Sequence, residues 1–417
     1  MIDKIEHAHF DVNGLSLHVA RTGQGWLIES PLISSMHLPS FQIFPNRVAG
    51  KLGTVLFLHG FPEIWYSWRH QMLAVAGAGF RAIAPDLRGY GLSGQPSIPE
   101  DSSWQDLVAD LIAILDLLSI SKVQYETRSI GFFPLGNLQL NRNSVLWTQK
   151  VHVVAKDFGA RPAYDLSLRH PDRVATVATL GVPFLATVTP FISLPGGFYM
   201  NRWREPGRAE ADFGRFDVRR VVRTIYILFS RSEIPIAEEG QEILDLADSS
   251  APLPPWFTEA DLDAYAALYE NSGFSFPLHM PYRPVASIPA MVFETLFSSL
   301  NLVTRIKRAV FHIYRSLHKL ETGGEDPKVE VPAMLVMGEK DYVLKFPEME
   351  NYVKSGEVKH FVPDLEIVYV PEGCHFVQEQ FPDQKVEQMT GDSDVDCLNT
   401  LTQQKVIPSG STCQNGY

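Results

Sequence analysis

The sequence predicts an α/β fold built on a mostly parallel sheet with helices on both faces. Three observations carry this. Short apolar runs alternate with stretches of helical spacing along the chain. Several runs end in His-Gly, Asp or another polar residue where a strand would stop. Strands alternating with helices feed parallel neighbours through crossovers rather than hairpins.

Near the amino end, His7–Val12 and Leu15–Arg21 flank Asn13-Gly14. An Asn-Gly pair between alternating runs marks a two-residue hairpin. Thr54–His59 reads as a buried strand, Trp65–Ala78 as a helix stopped by Gly79, and Arg81–Asp86 as the next strand. Trp104–Leu118 has apolar residues at helical spacing, with Ser102 or Ser103 as its cap. Val151–Lys156 is a strand, Ala163–Arg169 a helix, and Val174–Leu180, Ala333–Met337 and Leu365–Val370 are further strands.

Parallel sheets place ligands beyond the carboxyl ends of their strands. The residues that follow the strands are therefore the informative ones: His59 to Glu63, Asp86, Asp157, Asp341 and His375. Asp157 sits in Val153-Val154-Ala155-Lys156-Asp157-Phe158-Gly159-Ala160, with small residues two before it and two and three after it. A sharp strand-to-helix turn that lifts one side chain above a sheet needs small neighbours at those positions. The pattern fits a nucleophile elbow with Asp157 where the G-x-S-x-G hydrolases carry serine, and no G-x-S-x-G occurs in the chain. The alternative is that Asp157 caps the helix beginning near Ala160.

The chain has 417 residues, 45% hydrophobic and 20% charged, which suits a globular protein with room for a large core and an accessory lobe. A formal charge of −12 argues against a nucleic-acid surface. Cys374, Cys397 and Cys413 do not read as a disulfide framework and fit a reducing compartment. No secretory leader, anchor or membrane span is read from the sequence, so the expectation is cytoplasmic. No metal-ligand spacing or phosphate-binding glycine loop is present, and no cofactor is expected.

Two further stretches, FLHGFPEIWYSWRHQM (Phe57–Met72) and APDLRGYGLS (Ala84–Ser93), resemble the soluble epoxide hydrolase family of the α/β-hydrolase fold, particularly its plant members. The resemblance continues through ARPAYDLSLRHPDRV, FYMNRWREPGRAEADFGRF, LYENSGF, VPAMLVMGEKDYVLKFPEME and VPEGCHFVQEQFPDQ. It implies a catalytic set on this chain. Asp157 would attack an epoxide carbon and form an ester. His375 would activate water, with Asp341 holding the imidazole. The backbones of Phe61 and Phe158 would form the oxyanion hole, and Glu63 would place the water. Tyr199 and Tyr282 would donate to the opened epoxide oxygen. Trp65, Trp68 and Phe158 are expected to line the pocket, His59 to be structural, and Tyr226 to be core.

The implied organisation is a core over residues 1–183, a helical cap over 184–283, an atypical segment and linker over 284–327, and a returning core over 328–417 with a polar tail from about 384. The partner the resemblance implies is a small-molecule epoxide, with no nucleic acid, and a monomer or homodimer is expected. Three segments interrupt the resemblance: Trp26–Leu52, Gln124–Lys150 and Pro284–Tyr314. They read as inclusions foreign to the family, and the last creates a second Tyr-Arg pair at Tyr314-Arg315 that competes with Tyr282. The elbow also departs from the family's usual His-Asp-Trp, reading Lys156-Asp157-Phe158. Lys156 could hold Asp157 ionised or point away from it. Phe158 lacks the indole N–H with which dehalogenases of the same fold hold halide. A dehalogenase-like hydrolase, a non-catalytic binding protein, and an inactive product of a damaged gene are the other readings.

Overall fold

The first hairpin forms where Asn-Gly predicts it. Strands β1 (Glu6–Val12) and β2 (Leu15–Thr22) pair antiparallel, Val12 opposite Leu15. Asn13 and Gly14 between them take φ of 48° and 82°, the left-handed pair that a tight hairpin turn requires. The computed structural model describes residues 2–23, 52–118, 120, 150–185, 194–283 and 326–382, and the backbone of 123–125 and 145–147.

Strands β3 (Thr54–Leu58) and β4 (Arg81–Pro85) follow, buried along their whole length. Strands β5 (Val123–Tyr125) and β6 (Val145–Trp147) form a separate antiparallel pair. Apart from Val123 they belong to the second interrupting segment, whose remainder other than Lys150 lies outside the described residues. The main sheet resumes with β7 (Val151–Lys156), β8 (Val174–Leu180), β9 (Ala333–Gly338) and β10 (Leu365–Val370). Its order is β1-β2-β4-β3-β7-β8-β9-β10, parallel from β4 to β10. This is the sheet the sequence predicts, with strand ends within a residue or two.

Alternate side chains of these strands feed two cores. Leu56, Leu58, Val153, Ala155, Val177 and Leu335 face one side, which α2 (Trp104–Leu117) and α3 (Ala160–Arg169) cover. Val55, Phe57, Val154, Ala178 and Met334 face the other, under α1 (Arg69–Gly77) and α10 (Val377–Gln380). Ser103 caps α2 in a reciprocal box with Asp106.

Between β8 and β9 lie α4 (Tyr199–Arg204), α5 (Arg208–Phe213), α6 (Val218–Phe229), α7 (Glu259–Ser272) and α8 (Ser275–His279). Their buried faces (Trp203, Phe213, Val222, Ile225, Leu262, Phe276) join the same core as β3 and β7. A buried polar cluster ties this layer to the sheet. Arg69 reaches Asp261 at 2.8 Å and Glu379 at 3.1 Å, while Tyr226 and Tyr265 donate to Glu379 at 2.9 and 3.1 Å. Tyr226 is fully buried, as expected of a core residue. The remaining short helix, α9 (Met349–Lys354), precedes β10. Residues 24–51, 284–325 (which include Tyr314) and the tail from 383 lie outside the described residues.

Candidate active site

Asp157 follows β7 directly and opens the 3-10 turn (Asp157–Gly159) that leads into α3. Its φ is +51°, in the left-handed region that a non-glycine residue seldom adopts. The turn leaves no room for larger neighbours. A Cβ on Gly60 would come within 2.3 Å of the Asp157 Cβ, and one on Gly159 within 2.3 Å of the His59 carbonyl oxygen. The carboxylate does not cap α3, whose amino end carries no side-chain cap. It accepts instead from the Phe61 N–H at 3.1 Å, and the Phe158 N–H also bonds to it.

Asp341 follows β9 and His375 follows β10, at the same end of the parallel sheet as Asp157. His375 Nε2 lies 3.3 Å from Asp157 Oδ2, and Nδ1 lies 2.9 Å from Asp341 Oδ1. Asp341 also accepts from the Val343 N–H at 3.0 Å, which fixes its rotamer. Nδ1 is thus committed to a carboxylate and Nε2 faces Asp157. Burial alone would raise the Asp157 carboxyl. The hydrogen bond and charge of His375, the Lys156 ammonium and the Phe158 N–H outweigh it and hold the group down at about 2. Burial would lower His375, but the Asp341 charge and the two carboxylate hydrogen bonds raise it, against the opposing Lys156.

Around this set lies a cavity with largely apolar walls. Asp157, Phe158, Trp104, Tyr199, Tyr282 and Tyr342 line it. Tyr199 and Tyr282 stand edge to face with ring centroids 6.1 Å apart, and the Tyr199 and Tyr342 hydroxyls are 3.2 Å apart. Burial pushes all three phenols above their ordinary range, so they are protonated donors at neutral pH. Glu63 is fully buried and accepts from Gln378, with its second oxygen unpartnered. Burial first, then Asp157 and Glu379, raise its carboxyl to about 7, against the Lys156 and His375 charges.

The expected pocket residues divide. Phe158 lines the cavity, but Trp65 and Trp68 do not. Both sit in a short 3-10 turn that carries their rings under the opposite face of the sheet. Trp68 packs on Phe57, and Trp65 on His7 and His18. The indole at the cavity is Trp104, from the first turn of α2. His59 is a scaffold residue: Nε2 accepts from the Leu87 N–H at 3.0 Å and Nδ1 lies 2.9 Å from the Gly60 carbonyl. Asp86 accepts from the N–H groups of Trp65 and Leu92 and pairs with His18 at 2.8 Å, bracing the loop below the site.

The sequence reading does not single out Tyr342 or Gln378. Each stands within three residues of a singled-out position, Asp341 and His375, and that adjacency was the available signal. Lys156 does not point away. Its Nζ lies 3.0 Å from His375 Nε2, in full burial. Among the described residues no cluster of His, Cys, Asp and Glu could hold a metal ion, and no helix is long and apolar enough to cross a membrane.

Comparison with known proteins agrees with this architecture. A family model for the alpha/beta hydrolase fold matches residues 53–125. Epoxide hydrolase 2 of Siraitia grosvenorii is 30% identical over 393 residues, covering 91% of this chain and 96% of that protein. Epoxide hydrolase A of Mycobacterium tuberculosis is 34% identical over 241 residues, 54% of this chain and 66% of the other. The crystal structure of an epoxide hydrolase from Vigna radiata aligns with a TM-score of 0.63 at 28% identity, covering 92% of this chain and 96% of its own. Potato (Solanum tuberosum) epoxide hydrolase I aligns at 0.62 and 28%, covering 91% and 96%. With identity of this level sustained across nearly the whole of both chains, on an eight-stranded sheet of the same fold, the chain belongs to the epoxide hydrolase family of the α/β-hydrolase fold, on its plant-type side.

Proposed function

We propose that the chain hydrolyses an epoxide to a vicinal diol through an ester on Asp157. The observation that carries the reading is the posture of that carboxylate. It is lifted at positive φ into an apolar cavity, one oxygen on the Phe61 N–H and the other toward His375. Its depressed pKa leaves it ionised, as a nucleophile must be.

In the first half-reaction Asp157 Oδ2 attacks an epoxide carbon and the carbon–oxygen bond of the ring breaks. The leaving oxygen would become an alkoxide, a poor leaving group unless it is protonated. Tyr199 and Tyr282 supply the hydrogen bond and the proton, since both line the same cavity as protonated phenols. In the second half-reaction water attacks the Asp157 Cγ and gives its proton to His375 Nε2. The charge on the former carbonyl oxygen is held by the Phe61 and Phe158 N–H groups. Collapse breaks the ester bond and releases the diol, whose oxygen takes the proton back from His375. Asp157 sheds the water's second proton as it returns to its carboxylate, which offsets the proton the tyrosinate regained from solvent after the first half-reaction. Asp341 stabilises the imidazolium between these steps. Glu63, with a free oxygen in full burial, is suited to hold the water. Residues 184–283 serve as a cap over the cavity, and 1–183 with the chain from 328 as the catalytic core.

The test is an intact-mass measurement on His375→Gln mixed with styrene oxide. With the base removed, an adduct of one epoxide per chain accumulates and maps to Asp157 by peptide analysis. Folded protein that forms no adduct overturns the reading.

A further inference from the structure

Lys156 is the last residue of β7 and is wholly buried. Its Nζ touches His375 Nε2 at 3.0 Å, the same nitrogen that lies 3.3 Å from Asp157 Oδ2. Nε2 carries one proton or one lone pair, so it serves one of these contacts at a time. Gly181 explains how three charged groups gather without a spacer. It takes φ of +78°, and a Cβ there would lie 2.8 Å from Asp341 Oδ2, 3.1 Å from Lys156 Nζ and 3.5 Å from His375 Cε1. Only a bare backbone lets Asp341, Lys156 and His375 close around it.

We propose that Lys156 is a positioning residue for the second half-reaction: its ammonium keeps His375 unprotonated once Asp157 has become an ester. This rests on the proposed function above. In the resting site Lys156 faces two carboxylates, Asp157 and Asp341. Esterification removes the charge of Asp157 and leaves Asp341 alone to balance Lys156. Protonating His375 then sets two cations against one anion in a buried site, which is unfavourable. Below about pH 7 the other groups facing the pair supply no compensating negative charge. Glu63 is held protonated up to about 7, Cys374 has a thiol pushed up to about 12, and Tyr342 and Tyr199 are protonated phenols. The neutral imidazole offers its Nε2 lone pair to the ammonium until water comes between Nε2 and the ester carbon. Without Lys156, the Asp341 charge would act on His375 unopposed and favour the imidazolium, which cannot accept a proton from water.

The effect is read by single-turnover mixing of styrene oxide with excess protein, quenched and analysed by intact mass, from pH 5 to 9. Ester formation and ester hydrolysis are followed separately. In Lys156→Gln the midpoint of the hydrolysis limb rises by at least about one pH unit, which slows hydrolysis about tenfold on the acid side and spares the alkaline plateau. Lys156→Arg, which keeps the charge, returns the midpoint to within about half a unit of the parent. Ester formation shows no such midpoint shift between pH 5 and 9 in either variant, although its rate changes in Lys156→Gln, which loses one of the charges that hold Asp157 ionised. A lysine that only fills space would lower the plateau and leave the midpoint where it was, and that result overturns the inference while the function stands. Should Lys156→Gln not fold, the near-isosteric Lys156→Met is read in its place, and an unmoved hydrolysis midpoint overturns the inference. An unsubstituted protein that forms no ester overturns both the function and this role.

Discussion

Substituting Gly159 by alanine tests whether the elbow is as tightly closed as its geometry requires. Gly159 lies in ordinary helical space, with φ of −59°, so an added methyl meets no conformational penalty. The obstacle is contact. Its Cβ would sit 2.3 Å from the His59 carbonyl oxygen and 3.0 Å from the Leu58 oxygen, both backbone atoms of a buried strand end. Neither can rotate away, so the strand and the elbow must part by about 1 Å. Overpacking of this kind costs about 1–3 kcal/mol. In a protein of this size each kcal/mol lowers Tm by about 1–2 °C. The catalytic consequence is larger than the stability loss. Phe61 and Phe158, whose N–H groups converge on Asp157, flank the displaced backbone on its two sides. A 1 Å displacement in such a pair costs on the order of 10²-fold in rate. Gly159→Ala should therefore melt a few degrees lower and turn over an epoxide about 10²-fold more slowly. Gly77→Ala is the control: nothing lies within 4 Å of its added methyl, at the end of α1, and it should be neutral or gain up to about 1 kcal/mol. Activity of Gly159→Ala within threefold of the parent, at an unchanged Tm, would refute the close fit of strand and elbow.

Three other outcomes follow from the same site. Tyr199→Phe and Tyr282→Phe should each slow ester formation by about 10²-fold and leave ester hydrolysis nearly unchanged; equal losses in both half-reactions would contradict the donor role. Glu63 takes up a proton on folding, because its carboxyl lies at about 7 in the fold against an ordinary 4.5. Its raised pKa makes the group increasingly unfavourable to the fold as pH rises from about 4.5 to 7, by on the order of 3 kcal/mol beyond that. Glu63→Gln should thus gain stability relative to the parent from pH 5 to pH 8 in urea melts, while hydrolysis slows; a pH-independent difference would count against the burial account. Arg69→Met strands Glu379 and Asp261 without their cation and should cost about 3–5 kcal/mol at pH 8, shrinking toward pH 5 as Glu379, already raised by burial, takes a proton. A loss below about 1 kcal/mol at pH 8 would show that the cluster does not tie the helical layer to the sheet.

Much of this protein is legible along the chain because the determining physics is local. Asn13-Gly14 supplies two left-handed residues side by side, which only a tight turn uses. Ala155, Gly159 and Ala160 announce the elbow because small residues are a steric requirement of the turn they flank. Alternating apolar runs specify the strands, since a residue's face in a sheet follows from its parity. Trp65 and Trp68 show where this reasoning stops. They follow the Glu63 loop directly and read as pocket residues, but a single 3-10 turn rotates both rings beneath the sheet. A cavity wall is set by which elements pack around it, and Trp104 reaches it from a helix that begins some forty residues later.

The sequence by itself determined the sheet, the elbow and the identities of the acid, base and nucleophile candidates, because each is written in a short run that obeys backbone sterics or a family pattern. The tertiary structure decided what those residues do to one another. Lys156 and His375 are 219 residues apart in the chain and 3.0 Å apart in space. Whether a lysine beside a nucleophile faces outward or meets the catalytic histidine depends on the side its strand position presents and on a glycine at 181 that leaves the space open. Coulomb interaction and desolvation act through distance and burial, which the order of residues does not contain.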